Sequence, residues 1–180
     1  MRFNKYNIWV FLFLLIQGCS SNDVLQERQT RDGLPDQESW SPVITLTDEG
    51  VRRAWVHAGH LEKYNDKKYI LLDDSVTVDF YNSDETHSSV LTSDIAEVDE
   101  QSNFMRAIGN VIVISDSGVT LFTDTLSWDH EIEMIYTDDS VMVATTQNDT
   151  LYGIGFESDM SMDHWTILYP SGVTGREYEE

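Results

Sequence analysis

The chain has 180 residues, 32 of them acidic against 11 basic, for a formal charge of −21. That balance repels nucleic acid and anionic membrane surfaces and argues against a DNA or RNA partner or a broad basic patch for phosphate groups. Aromatic and β-branched residues are too frequent for a disordered acidic tail, and a single cysteine, Cys19, excludes internal disulfides and any cysteine-cluster metal site.

The N-terminus has three parts in order. Arg2 and Lys5 supply a small positive region, Ile8 to Ile16 is an unbroken apolar run, and Ile16-Gln17-Gly18-Cys19 sets a small residue directly before a cysteine. This is signal-peptide anatomy. The run is about half of the roughly 20 residues that span a bilayer, so it does not read as a permanent membrane helix. Residues 1–18 are expected to be a lipoprotein signal peptide, with Cys19 as the lipidation site. Loss of Arg2 and Lys5 leaves 9 basic residues against 32 acidic ones, so the formal charge becomes −23. Residues 19–42 are polar, contain Pro35 and Pro42, and are expected to form a flexible tether.

From Val43 onward the chain reads as strand after strand. VITLTDEG, YILLDDSVTVDFY, NVIVIS, VTLFTDTLSW, SVMVATT and TLYGIGF alternate or cluster apolar residues, with Asp, Asn, Gly and Ser between them. Val51 to Tyr64 fits a short helix or a strand. The body, residues 43–175, is expected to be one all-β domain.

Self-comparison shows a step of 30 residues. Leu91-Thr92-Ser93-Asp94 is matched by Leu121-Phe122-Thr123-Asp124 and then by Leu151, while Val111 and Val113 match Val141 and Val143. Each repeat is a pair of strands, and a unit so small must stack on its neighbours to bury its apolar face. Leu121 and Thr123 change parity with Leu126 and Trp128 at Asp124-Thr125. A bulge or bend there returns both pairs to one face. Strands bent at the same point in every repeat fold into two facing sheets, a V-shaped roll. Its inward face holds Val111, Val113, Val119, Leu121, Leu126, Val141, Val143, Leu151 and Phe156. On these residues alone an ordinary sandwich core accounts for them better than a groove.

The search for chemistry finds no catalytic set. His57 and His60 are spaced by three, which suits a shared metal on a helix but points them to opposite faces of a strand, and no third ligand is evident. Asp73-Asp74, Asp138-Asp139 and Glu157/Asp159 fall where turns are expected. Ser117-Gly118 and Ser171-Gly172 read as turns without a nucleophile elbow. No enzyme activity, metal or cofactor is expected.

Gly109-Asn110-Val111-Ile112-Val113, Gly118 to Thr123, Leu126-Ser127-Trp128-Asp129, Ile135-Tyr136-Thr137-Asp138 with Val141, and Leu151-Tyr152-Gly153-Ile154-Gly155-Phe156, with Val76 to Tyr81 upstream, resemble in order and spacing the LptC family, the periplasmic component of the lipopolysaccharide export ABC transporter. The resemblance covers about residues 43–175. It implies a twisted β-jellyroll open along one side with an apolar interior. It further implies that the nine inward residues line a lipid groove. The partners it implies are lipopolysaccharide, the inner-membrane ABC transporter and an LptA-like bridge protein of the same fold. Two departures stand out. Members commonly carry an N-terminal membrane helix, where this chain has a lipoprotein signal. Ser20 after Cys19 is compatible with transfer to the outer membrane, whereas the family role places the anchor at the inner one. An outer-membrane scaffold that binds proteins through its sheet edges is the competing expectation.

Overall fold

The computed structural model describes residues 33–102, 104–129, 132, 134–147 and 149–171. The expected signal peptide, Cys19 and the tether up to residue 32 lie outside the described residues, as does the end of the expected domain at 172–175. The described chain forms thirteen antiparallel strands: β1 (Gln37–Trp40), β2 (Val43–Asp48), β3 (Val51–His57), β4 (His60–Tyr64), β5 (Tyr69–Asp73), β6 (Val76–Tyr81), β7 (His87–Ser93), β8 (Ile95–Asp99), β9 (Phe104–Ser115), β10 (Thr120–Asp129), β11 (Met134–Ala144), β12 (Thr150–Asp159) and β13 (Trp165–Ser171). Val51 to Tyr64 is two strands, not a helix.

The pairing order makes two leaves that share one set of long strands. In the first leaf, β1, β4, β5 and β8 lie in order and meet β9 at Phe104–Ile108. In the second, β2, β3, β6 and β7 lie in order and meet β9 at Ile112–Ser115. Strands β10, β11, β12 and β13 then follow β9 across both leaves. The short strands are halves of long ones: β1 continues into β2, β3 into β4, β5 into β6, and β7 into β8, each broken at a corner.

The corners form a continuous line. They fall at Ser41-Pro42, Ala58-Gly59, Asp74-Ser75, Asp94, Gly109-Asn110, Asp124, Asp138-Asp139 and Gly155. Register shifts occur between Thr123 and Thr125 in the β9–β10 pair and between Thr137 and Ser140 in the β11–β12 pair, so a bulge does re-aim the strand where the parity change predicts it. The 30-residue step is thus the distance between alternate corners. Left-handed backbone turns the chain at Gly109 (φ 79°), Asn110 (φ 47°), Asp74 (φ 58°) and Ser75 (φ 71°). Small polar residues suit such conformations because their side chains bond locally. The corners also bond to one another: the amide of Gly59 donates to the Asp74 carbonyl at 3.1 Å, and that of Asp94 to the Gly109 carbonyl at 2.9 Å. Side chains add Asn110 Nδ2 to Asp94 Oδ2 at 2.7 Å and Thr125 Oγ1 to Asp139 Oδ2 at 2.6 Å.

Gly59 is required by close approach. A Cβ there would sit 2.3 Å from the backbone oxygen of Asp74. Since the obstacle is backbone, relief means moving a corner. Gly59→Ala is expected to destabilise the domain by about 1–3 kcal/mol; a denaturant midpoint equal to that of the parent chain would show that the corner yields freely.

Strand β1 falls inside the stretch 19–42 expected to be a tether. It pairs with β4 from Gln37↔Lys63 to Trp40↔His60. Its sequence, QESW, carries almost no apolar signal because the backbone ladder, not side-chain burial, holds an edge strand. The sheet therefore begins at Gln37 rather than Val43.

The core is in two parts. One cluster joins Leu91, Ala107, Val111, Val113, Leu121, Leu126, Ile135, Val141, Val143, Phe156 and Met162. The other joins Val56, Ala58, Leu61, Leu72 and Val76 in the N-terminal strands.

Candidate functional site

Between the two leaves, toward the N-terminal strands, lies an apolar trough with about 960 Å³ of empty space, its open mouth included. The first leaf contributes Ile70, Leu72, Ala96 and Val98; the second contributes Ile44, Leu46, Val56, Val78 and Phe80. Met105, Ala107, Val113, Leu126, Trp128 and Ile135 form its far wall. The alternation of the strands explains the chemistry. Inward positions are aliphatic or aromatic, and their neighbours Glu97, Asp79 and Thr77 take the other face. Arg106 adjoins the trough through its place on β9, but Ala107 is buried, so Arg106 turns outward, where its guanidinium lies 5.5 Å from the Phe104 ring centre. A space walled this way holds hydrocarbon well and a charged group badly.

The nine inward residues expected from sequence are divided by the structure. Val113 and Leu126 line the trough. Val111, Leu121, Val141, Val143 and Phe156 are buried in the C-terminal core, Val119 packs against that core, and Leu151 is half-buried opposite Val143. Six of the nine thus fill or pack against a closed interior rather than wall an open one. The reason is strand length. Strands β9 to β12 pair along both leaves and bring large side chains together, whereas the shorter N-terminal strands leave a gap between the leaves. Sequence reasoning missed Ile44, Leu46, Val56, Ile70, Leu72 and Val78. The alternation in VITLTD and VTVDFY marks them as inward, but they stand upstream of the 30-residue repeat.

The outer face of the first leaf is acidic. His60 Nε2 bonds Glu38 at 2.9 Å and Nδ1 bonds Asp73 at 2.9 Å. Hydrogen bonding to Glu38 is the largest influence; burial opposes it and Asp73 adds to it, and the net effect raises the imidazole above its ordinary value. On the same face Tyr69 donates to Glu97 at 2.9 Å, and burial followed by that bond pushes its phenol up to about 12. Glu38, His60 and Glu62 bring ligand-type atoms within 4.8 Å of one another, a grouping the sequence did not suggest. An imidazolium held by carboxylates satisfies this cluster without an ion. His57 lies on β3, in the other leaf, so the two histidines share no site.

This arrangement gives a pH dependence. A histidine whose pKa rises on folding contributes stability that is complete below its unfolded value of 6.5 and is lost as pH rises through the folded value. The advantage of the parent chain over His60→Gln in thermal midpoint is expected to be largest just below the unfolded value and to shrink as pH rises above it. An advantage that grows with pH would contradict the imidazolium.

Asp74 and Asp138-Asp139 stand at corners, and Asp159 organises the turn after β12. It accepts hydrogen bonds from Ser161 Oγ and the Asp163 amide, both at 3.0 Å, and pairs with His164 Nδ1 at 2.9 Å.

A family model described as "Lipopolysaccharide-assembly, LptC-related" matches residues 11–179. This chain belongs to the LptC-related family. Among solved structures it is similar to LptH from Pseudomonas aeruginosa, described as the LptA homologous periplasmic component of the lipopolysaccharide transport device. The match has a TM-score of 0.51 and 13% identity over 63% of this chain and 80% of that one. That identity speaks for the fold alone, an open β-jellyroll shared with the LptA-like proteins. A comparison with curated sequences gives no match. As an LptC-related protein the chain is a periplasmic transport component with a role in lipopolysaccharide transport, and it is not an enzyme.

Proposed function

We propose that the trough receives the acyl chains of lipopolysaccharide from the inner-membrane ABC transporter and passes them to an LptA-like bridge. The observation that carries this reading is the empty apolar space between the leaves, lined by residues from nearly every strand between β2 and β11. Burial of acyl chains there contributes roughly 0.8 kcal/mol per CH2, while the anionic sugar head stays in solvent, away from the acidic outer face. No bond is made or broken, so the transporter supplies the work. Among the described residues the outer edges of β1 and β13 carry no partner strand, and they suit end-to-end strand pairing with proteins of the same fold. Tyr169, 72% exposed on β13, and Trp40, 68% exposed on β1, would meet such neighbours. Cys19, acylated, would hold the domain at its membrane through the residues before Gln37; Ser20 leaves the outer membrane as the alternative address.

Mass spectrometry of the chain purified from membranes reads both parts of the proposal. Lipopolysaccharide should travel with the protein, and Cys19 should carry acyl mass. A lipid-free chain, from cells whose export system is intact, would instead favour the scaffold that binds partners only by its edges.

A further inference from the structure

The trough is not open along its whole length. The corner line divides each long strand, so the ends of strand segments far from the corners are the tips of the leaves. Ser89 on β7 and Ser115 on β9 lie at the tip of the second leaf. The turn between β12 and β13, Met160 to His164, lies at the tip of the first. Two hydrogen bonds cross from one tip to the other. Ser89 Oγ donates to the Met160 carbonyl at 3.3 Å, and Ser115 Oγ donates to the Ser161 carbonyl at 2.8 Å. Both serines are buried. Between these bonds Met162 is driven fully into the interior, with the left-handed φ of 57° that such an inward turn demands. Met160 and Ser89 also line the end of the trough. Beyond them the space between the leaves is filled: Leu121, Val143, Phe156 and Met162 are all fully buried.

A lipid moving along the interior toward the β13 edge meets this closed section. Side chains in a packed core cannot make room without separating the leaves. Among the features on the path, the β12–β13 turn is built to release. It holds the second leaf by two serine-to-carbonyl bonds, which can be exchanged for bonds to water. It is also knotted on itself through Asp159, so it can move as one piece. Its plug is a methionine, an unbranched side chain that adapts to changed surroundings.

We propose that the β12–β13 turn is a latch across the open side of the roll, with Met162 as its plug, and that it lifts when acyl chains advance from the trough into the C-terminal half. This inference rests on the trough being the lipid site. The latch makes Ser115 and Met162 positioning residues for onward movement, not for first uptake, while Ser89 belongs to both the latch and the end of the trough.

Hydrogen–deuterium exchange on the full chain, with and without purified lipopolysaccharide, separates the two readings. The expected result is slower exchange in β3, β5 and β6, together with exchange at Met162 and its neighbours that is faster by about tenfold. Slower exchange in the N-terminal strands with an unchanged or slower turn would overturn the latch and leave the trough standing. No slowing anywhere would overturn both. The variant Ser115→Ala, at a residue outside the trough lining, supplies a second readout: turn exchange rises without lipid, while uptake in the N-terminal strands is retained. A turn that exchanges as slowly as in the parent chain would show that the Ser115 bond does not hold it.

Discussion

Phe156→Ala is expected to lower the stability of the domain by about 3–5 kcal/mol. Phe156 is fully buried on β12, directly after the corner at Gly155, and its ring stacks on Trp165 at 6.2 Å between centres and 18° between planes. It joins the packed C-terminal half to the edge strand, since its backbone faces Thr137 on one side and Ile167 on the other. Truncation removes the transfer energy of the ring and leaves a cavity that the two-leaf frame cannot collapse. Denaturant unfolding gives the comparison directly. A loss below about 1 kcal/mol would mean that this region is not the packed interior described.

Ala96→Trp is expected to abolish lipid capture while leaving the fold intact. Ala96 lines the trough from β8, half-buried and packed against the N-terminal core cluster, so an indole there enters the trough with some repacking of its neighbours. The repacking should cost no more than about 1–3 kcal/mol, which leaves the domain folded. The indole occupies the volume an acyl chain would take, and capture of lipopolysaccharide should fall by at least about tenfold. The control stands one residue away. Glu97→Trp places the same ring on the outer face, because successive strand residues alternate, and capture should be unchanged. Equal loss from both variants would assign the effect to general damage. No loss from Ala96→Trp would remove the trough from the account.

Much of the fold was legible in the sequence, and the reason is repetition. Asp94 and Asp124 mark corners 30 residues apart, and the parity change at Asp124-Thr125 is a real register shift. The upstream corners were hidden. Ser41-Pro42, Ala58-Gly59 and Asp74-Ser75 interrupt the backbone pairing outright, so β1 to β6 read as unrelated short strands rather than bent long ones. Strand β1 was hidden more fully, because an edge strand held by its ladder needs no apolar residues. The candidate site was legible as chemistry but not as place. Alternation identifies which side chains face inward; it does not say where the leaves stand apart. Val111, Val143 and Phe156 look like groove residues by pattern, yet they belong to one buried core cluster. Val56, Leu72 and Val78 have the same pattern and border a space. That difference depends on how far strands on opposite leaves are paired, and the turn at Met160 to His164 adds to it by closing one end.

The acidic balance also takes on a physical sense. Three of the described cations are engaged locally: Lys63 with Glu100 at 2.6 Å, Lys67 over the Tyr64 ring at 4.8 Å, and Arg52 over the Tyr81 ring at 4.0 Å. None of these three lines the trough. Recognition by hydrocarbon burial alone suits a carrier that must release its cargo onward, since a charge-assisted grip on the head group would slow departure.

Site-specific photo-crosslinking in cells with an active export system tests the central claim most directly. With the crosslinker at Val78 or Val98, inside the trough, lipopolysaccharide should be captured. At their neighbours Asp79 and Glu97, on the outer face, it should not. Capture at the outer positions equal to that at the inner ones, or at none of the four, would contradict the lipid trough.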